Sequence, residues 1–197
     1  MNNDIITIVS GLPRSGTSLM MQMIDAGGLS AITDRVRTSD QDNPRGYFEL
    51  EAVKRTRTDG SWLSEAGGHV VKMVHLLLYD LPADRSYRVI FMRRDLGEVV
   101  RSQALMLRRR GTDGASLTDD QLMKAYEGQL AKIQSWLGGQ PNFTVHLVSY
   151  NDLMADPAPA ANAVNEFMGG GLDVAAMLQT IDPSLYRQRQ ATGSSHA

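Results

Sequence analysis

Gly11-Leu12-Pro13-Arg14-Ser15-Gly16-Thr17-Ser18 is the stretch on which the fold turns. It follows the apolar run Ile5 to Val9 and precedes Leu19-Met20-Met21-Gln22-Met23-Ile24, so the order is strand, glycine-bounded loop, helix. The spacing from Gly11 to Gly16 to Ser18 fits the phosphate-binding P-loop pattern, in which backbone N–H groups and a helix N-terminus surround an anionic oxygen cluster. A plain glycine turn would explain Gly11 and Gly16. It would not explain the proline, the arginine and the hydroxyl residues that accompany them. Where a nucleoside-triphosphatase loop carries its lysine this one has Thr17, and the cation is Arg14, inside the loop.

That exchange gives the stretch a family likeness. Pro13-Arg14-Ser15-Gly16-Thr17-Ser18 resembles the loop with which sulfotransferases hold the 5′ end of 3′-phosphoadenosine 5′-phosphosulfate (PAPS). The resemblance implies that Arg14 contacts the bridging oxygen and the transferring sulfuryl group, while Ser15, Gly16, Thr17 and Ser18 cradle the 5′-phosphate. A second motif lies downstream in Arg93-Arg94-Asp95-Leu96-Gly97-Glu98-Val99-Val100-Arg101-Ser102. Asp95 with Glu98 predicts a capping box and hence a helix start, which puts Arg94 just before a helix N-terminus and Ser102 two turns along. At 1.5 Å rise per residue an arginine side chain covers much of the ~10 Å between them, so both can hold one phosphate. A basic residue at a helix start or a serine within a helix is ordinary by itself. Together, arginine with serine eight positions on, they resemble the family's 3′-phosphate motif.

Two further segments are similar in a looser way. Tyr150-Asn151-Asp152-Leu153 with Asp156-Pro157 resembles the family's Tyr-Glu-Asp-Leu…Asp-Pro stretch, which implies that Tyr150 approaches the adenine. Asn43-Pro44-Arg45-Gly46-Tyr47-Phe48-Glu49 resembles a segment of short bacterial sulfotransferase-like proteins and implies that Glu49 sits near the acceptor. The chain also departs from the family. Lys72-Met73-Val74-His75 has one residue more than the Lys-Thr-His segment that supplies a lysine and a histidine base in cytosolic members, and a shift of one reverses the face of a strand. It has no Arg-Lys-Gly loop near its C-terminus, which leaves two alternatives: Arg187 or Arg189 folds back onto the 3′-phosphate, or the tail is solvated. Leu19 stands where an adenine-stacking tryptophan is often found.

Working outward, His69 to Val74, Tyr87 to Met92 and Phe143 to Ser149 read as further strands, and the intervening segments carry helical periodicity. Helices are predicted to Ala26, over Leu50 to Arg57, from Asp95 to the Arg108-Arg109-Arg110 run, over Thr118 to Leu137, over Ala158 to Phe167 and over Asp173 to Thr180. The three arginines offset a helix dipole and are read as a solvated face. Strands separated by helical crossovers call for parallel pairing, so the expected fold is α/β, a three-layer P-loop arrangement with a mainly parallel central sheet. A further short strand near Ile32 fits the pattern. One domain is expected over residues 1–190, followed by a polar tail, 191–197.

Composition bounds the rest. The chain has 197 residues, 42% of them hydrophobic, enough for one full core, and a net charge of −2, which argues against nucleic acid as a partner. It has no cysteine, so thiol chemistry is excluded, and the apolar N-terminal run reads as strand rather than leader. The expectation is a soluble cytoplasmic protein acting on a small-molecule acceptor, with no membrane partner. The resemblance implies PAPS as cofactor, leaving as adenosine 3′,5′-bisphosphate, and no metal is expected. A base must take the acceptor proton. Glu49 and His75 are the candidates and Glu49 is preferred, because acidic bases occur in the tyrosylprotein and heparan branches. The rival readings are a P-loop nucleotide kinase or triphosphatase and a non-catalytic nucleotide-binding protein.

Overall fold

Along the strands Ile6, Ile8, Val71, Val89 and Phe91 alternate with Val9, Val70, Ile90 and Met92, and all are buried. Successive side chains of a strand point to opposite faces, so a sheet built from these runs is apolar on both sides and needs cover on both. The computed structural model describes residues 5–34, 36, 39–40, 43, 45–109, 111 and 117–186. It contains β1 (Ile5–Gly11), α1 (Thr17–Ala26), β2 (Val70–Val74), β3 (Ser86–Arg93), α2 (Leu96–Arg109), α3 (Asp119–Gly138), β4 (Phe143–Ser149), α4 (Tyr150–Ala155), α5 (Pro157–Phe167) and α6 (Val174–Gln179). The four strands form one parallel sheet in the order β2-β1-β3-β4. Methionines of α1, Val164 of α5 and Met177 of α6 cover the Val9 face, while Ile133 and Leu137 of α3, with Trp62, cover the Ile8 face. The α/β expectation with a parallel sheet flanked by helices is therefore what the chain adopts.

The strand order locates the site. The chain leaves β1 for one side of the sheet and later returns to β3 on the other, so the order reverses between β1 and β3, where a crevice opens outside the carboxyl ends of the strands. Gly11 at the end of β1 is registered against Met92, two residues before Arg94. The two motifs read in the sequence as phosphate-binding, 80 residues apart, thus begin side by side. Gly11 has φ 150°, and a Cβ there would lie 2.6 Å from both the Met92 carbonyl oxygen and the Ser15 hydroxyl. Only glycine lets the loop leave β1 so close to β3.

Three local expectations are modified. Leu50 to Arg57 holds only a 3-10 segment, Glu51–Arg55, instead of an α-helix. The segment near Ile32 makes a single parallel bridge, Ala31 to Val70, rather than a strand. Asp95 does cap α2, accepting the Glu98 amide at 2.9 Å, but Glu98 does not complete the box. Its carboxylate turns to Arg94 instead. A complete capping box does form at α3, between Thr118 and Gln121.

Candidate active site

The loop after β1 is shaped by two residues with left-handed backbone, Arg14 (φ 71°) and Gly16 (φ 95°). Ser15 is buried, and its amide and hydroxyl both donate to the Leu12 carbonyl, at 3.2 and 2.7 Å. That closes the loop on itself. Gly16 caps α1 with no side chain, and the first intrahelical bond, from the Met20 amide to Gly16, leaves the earlier amides of the first turn outside the helical ladder. Thr17, Ser18 and Leu19, which carry them, line a cavity of about 310 Å³. A Cβ on Gly16 would come within 2.2 Å of the Tyr150 ring, so the glycine also admits that ring as a wall.

Arg14 extends across this cavity, and its Nε donates to the Ser102 hydroxyl at 2.9 Å. Arg94 donates from Nη1 to the Arg14 carbonyl at 3.0 Å and from Nε to Glu98 Oε2 at 2.9 Å. Its guanidinium lies over the Tyr150 ring, 4.5 Å from the centroid. The cavity therefore has two arginines, a serine and a helix N-terminus converging at one end, an arrangement suited to two phosphate groups.

The other end is acidic and basic in alternation. Lys72 of β2 lies on the α1 face of the sheet, and its ammonium donates to the Ser18 hydroxyl at 3.2 Å and to the Tyr47 carbonyl. Glu49 Oε1 lies 3.6 Å from the same ammonium. Glu49 is aimed there by Phe48, whose φ of 52° kinks the chain between Tyr47 and Glu49. Val74, Leu105 and Met106 make the lining partly apolar, and Arg109 stands at the cavity too, so the end of α2 is not merely a solvated face.

Of the residues singled out in the sequence, Arg14, Gly16, Thr17, Ser18, Glu49, Arg94, Ser102 and Tyr150 line this one cavity. Ser15 and His75 do not line it. His75 is 1% exposed, and its Nε2 lies 3.1 Å from Gln129 Oε1 of α3. Burial pushes its pKa below the usual histidine value, so it stays neutral at pH 7. Arg187 and Arg189 lie outside the described residues, as does Arg110. Lys72 has a part in the site that its sequence position left unassigned. The signal was a lone lysine flanked by buried valines and methionine, an expensive placement without a partner. Asn151 and Tyr186, which back Arg94, carried no such signal. Among the described residues no group of His, Cys, Asp or Glu is arranged to hold a metal ion, and no helix is long and apolar enough to cross a membrane.

Comparison with known proteins adds to this geometry. The chain matches the Sulfotransferase domain family over residues 4–192. Similar solved structures include the sulfotransferase domain from the curacin biosynthetic pathway, at 14% identity and TM-score 0.52, covering 90% of this chain and 77% of that one. A sulfotransferase from Alicyclobacillus acidocaldarius is similar at 13% identity and TM-score 0.51, covering 91% and 87%. A retinol dehydratase in complex with androsterone and the inactive cofactor PAP is similar at 14% identity and TM-score 0.55, covering 94% of this chain and 65% of that one. At such identities the likeness speaks for the fold. No curated protein sequence matches the chain.

Proposed function

Because this chain belongs to the sulfotransferase domain family, we propose that it moves the sulfuryl group of PAPS to a hydroxyl or amine of a small-molecule acceptor. The observation that carries the reading is the contact between Arg14 Nε and Ser102 Oγ, 2.9 Å across 88 residues, which joins the two phosphate motifs in one cavity. The residues present fit the cofactor: loop amides and α1 for the 5′-phosphate, Arg94 and Ser102 for the 3′-phosphate, Tyr150 for the adenine. When bound, PAPS supplies the sulfuryl group, whose S–O bond to the 5′-phosphate breaks as the acceptor atom bonds to sulfur.

The chain's own part is to position, neutralise and accept a proton. Arg14 lies where charge builds on the leaving 5′-phosphate, and a preorganised cation there stabilises the transition state more than the ground state. Lys72, bound to Ser18 of the loop and paired with Glu49, would stand between donor and acceptor in this scheme. Glu49 takes the acceptor proton in this scheme. His75, buried and paired with Gln129, is left as a packing residue.

The experiment is transfer of labelled sulfate from PAPS to a panel of phenols, alcohols and amines. The wild type should label at least one, and Arg14→Ala should lower turnover more than cofactor binding. Normal turnover by Arg14→Ala would contradict the mechanism.

A further inference from the structure

Behind Arg94, away from the cavity, lies a linked set of polar side chains that the transfer scheme does not use. Glu98 is 1% exposed and the Arg94 side chain 8%, so the pair is buried. Both carboxylate oxygens of Glu98 are engaged: Oε2 accepts from Arg94, and Oε1 accepts the Tyr186 hydroxyl at 2.8 Å. The Tyr186 oxygen in turn accepts from Asn151 Nδ2 at 2.8 Å, and Asn151 Oδ1 accepts the Asp95 amide at 3.0 Å. The Tyr186 ring stands edge-on to that of Tyr150, at 89°, and the Arg94 guanidinium lies 5.5 Å from its centroid. Burial raises the Tyr186 pKa, so its hydroxyl remains a donor at neutral pH. Neither Glu98, Asn151 nor Tyr186 lines the cavity.

A buried carboxylate beside the arginine that is to take a phosphate is an awkward neighbour. If one of its oxygens lost its donor, it would recruit a second arginine nitrogen, since carboxylate and guanidinium favour a side-on pair with two parallel bonds. That would draw Arg94 away from the cavity. With Tyr186 on Oε1, Glu98 holds Arg94 at Nε, while Nη1 stays on the Arg14 carbonyl and the residue lines the cavity. Resting on the reading that Arg94 takes the 3′-phosphate, we propose that Tyr186 is a positioning residue for nucleotide specificity: its hydroxyl restrains Glu98 and so keeps Arg94 available to the 3′-phosphate. The C-terminal segment thereby takes part in cofactor selection through one hydroxyl, without touching the ligand.

The test is calorimetric titration of the full chain and its Tyr186→Phe variant with adenosine 3′,5′-bisphosphate and with adenosine 5′-monophosphate. The phenylalanine keeps the ring over Arg94 and removes only the hydroxyl. Loss of one hydrogen bond to a charged group should weaken the bisphosphate by about tenfold and leave the monophosphate unchanged, so the ratio of the two affinities falls. A merely structural role would lower both affinities together or neither, and either result would overturn the proposal. Glu98→Gln serves should the first variant not fold: with no carboxylate left to recruit Arg94, the ratio should be kept or rise, and a fall would overturn the proposal. Arg94→Ala separates this inference from the reading beneath it. If Arg94→Ala leaves the ratio intact, the 3′-phosphate assignment itself fails; if it abolishes the ratio while Tyr186→Phe does not, only the role of Tyr186 fails.

Discussion

Among the described residues, two that are not glycine have left-handed backbone: Arg14, which lines the cavity, and Phe48, between the cavity-lining Tyr47 and Glu49. Such a conformation costs on the order of 1–3 kcal/mol and persists only where the surroundings over-determine it. At Arg14 the carbonyl is held by Arg94 and the guanidinium by Ser102. At Phe48 the preceding carbonyl is held by Lys72, and the ring packs against the core of the α1 face. Both kinks aim a charged side chain at the space where sulfuryl transfer would occur. For Glu49 the consequence can be measured: Glu49→Gln keeps size and polarity but removes basicity. The transfer rate should fall by about 10²–10⁴-fold with cofactor affinity little changed. Should the rate survive the substitution, the base assignment would be dropped and an easily ionised acceptor inferred.

Among the elements, β2 and α2 mark how far the sequence could be read. The strands and most helices were legible, because an apolar run of five to eight residues or a period near 3.6 leaves a mark in the chain itself. The loop and the Arg94 to Ser102 spacing were legible for the same reason: each is contiguous. Contact between distant segments could not be read. Glu98 pairs with Arg94 and Tyr186 rather than completing a capping box, and the tyrosine that takes its second oxygen lies 88 positions away. His75 comes directly after β2, yet whether it meets the cavity or the core depends on α3, whose Gln129 takes it inward. That placement carries a pH signature. A histidine whose folded pKa is depressed by burial leaves the unfolded chain with more bound protons below about pH 6.5, so stability is full above that value and falls as the pH drops through it. His146, also depressed by burial, contributes with the same sign. Thermal melting should therefore weaken between pH 7 and pH 5, and His75→Gln should flatten part of that slope. An unchanged slope would place His75 in contact with water.

For the molecule as a whole, the net charge of −2 conceals a local excess of cations. Arg14, Lys72, Arg94 and Arg109 all stand at one cavity, at the point where the order of a parallel sheet reverses, while most of the acidic residues lie elsewhere. The fold thus concentrates positive charge by topology rather than by composition, and a doubly phosphorylated nucleotide is the ligand proposed for it. A P-loop kinase would instead rely on a loop lysine and on magnesium to hold a triphosphate chain. The measurement that separates these most directly is titration of the wild-type protein with adenosine 3′,5′-bisphosphate and, separately, with ATP and magnesium. The bisphosphate should bind far more tightly, because it alone carries a 3′-phosphate for Arg94 and Ser102. Tighter binding of ATP with magnesium would contradict it.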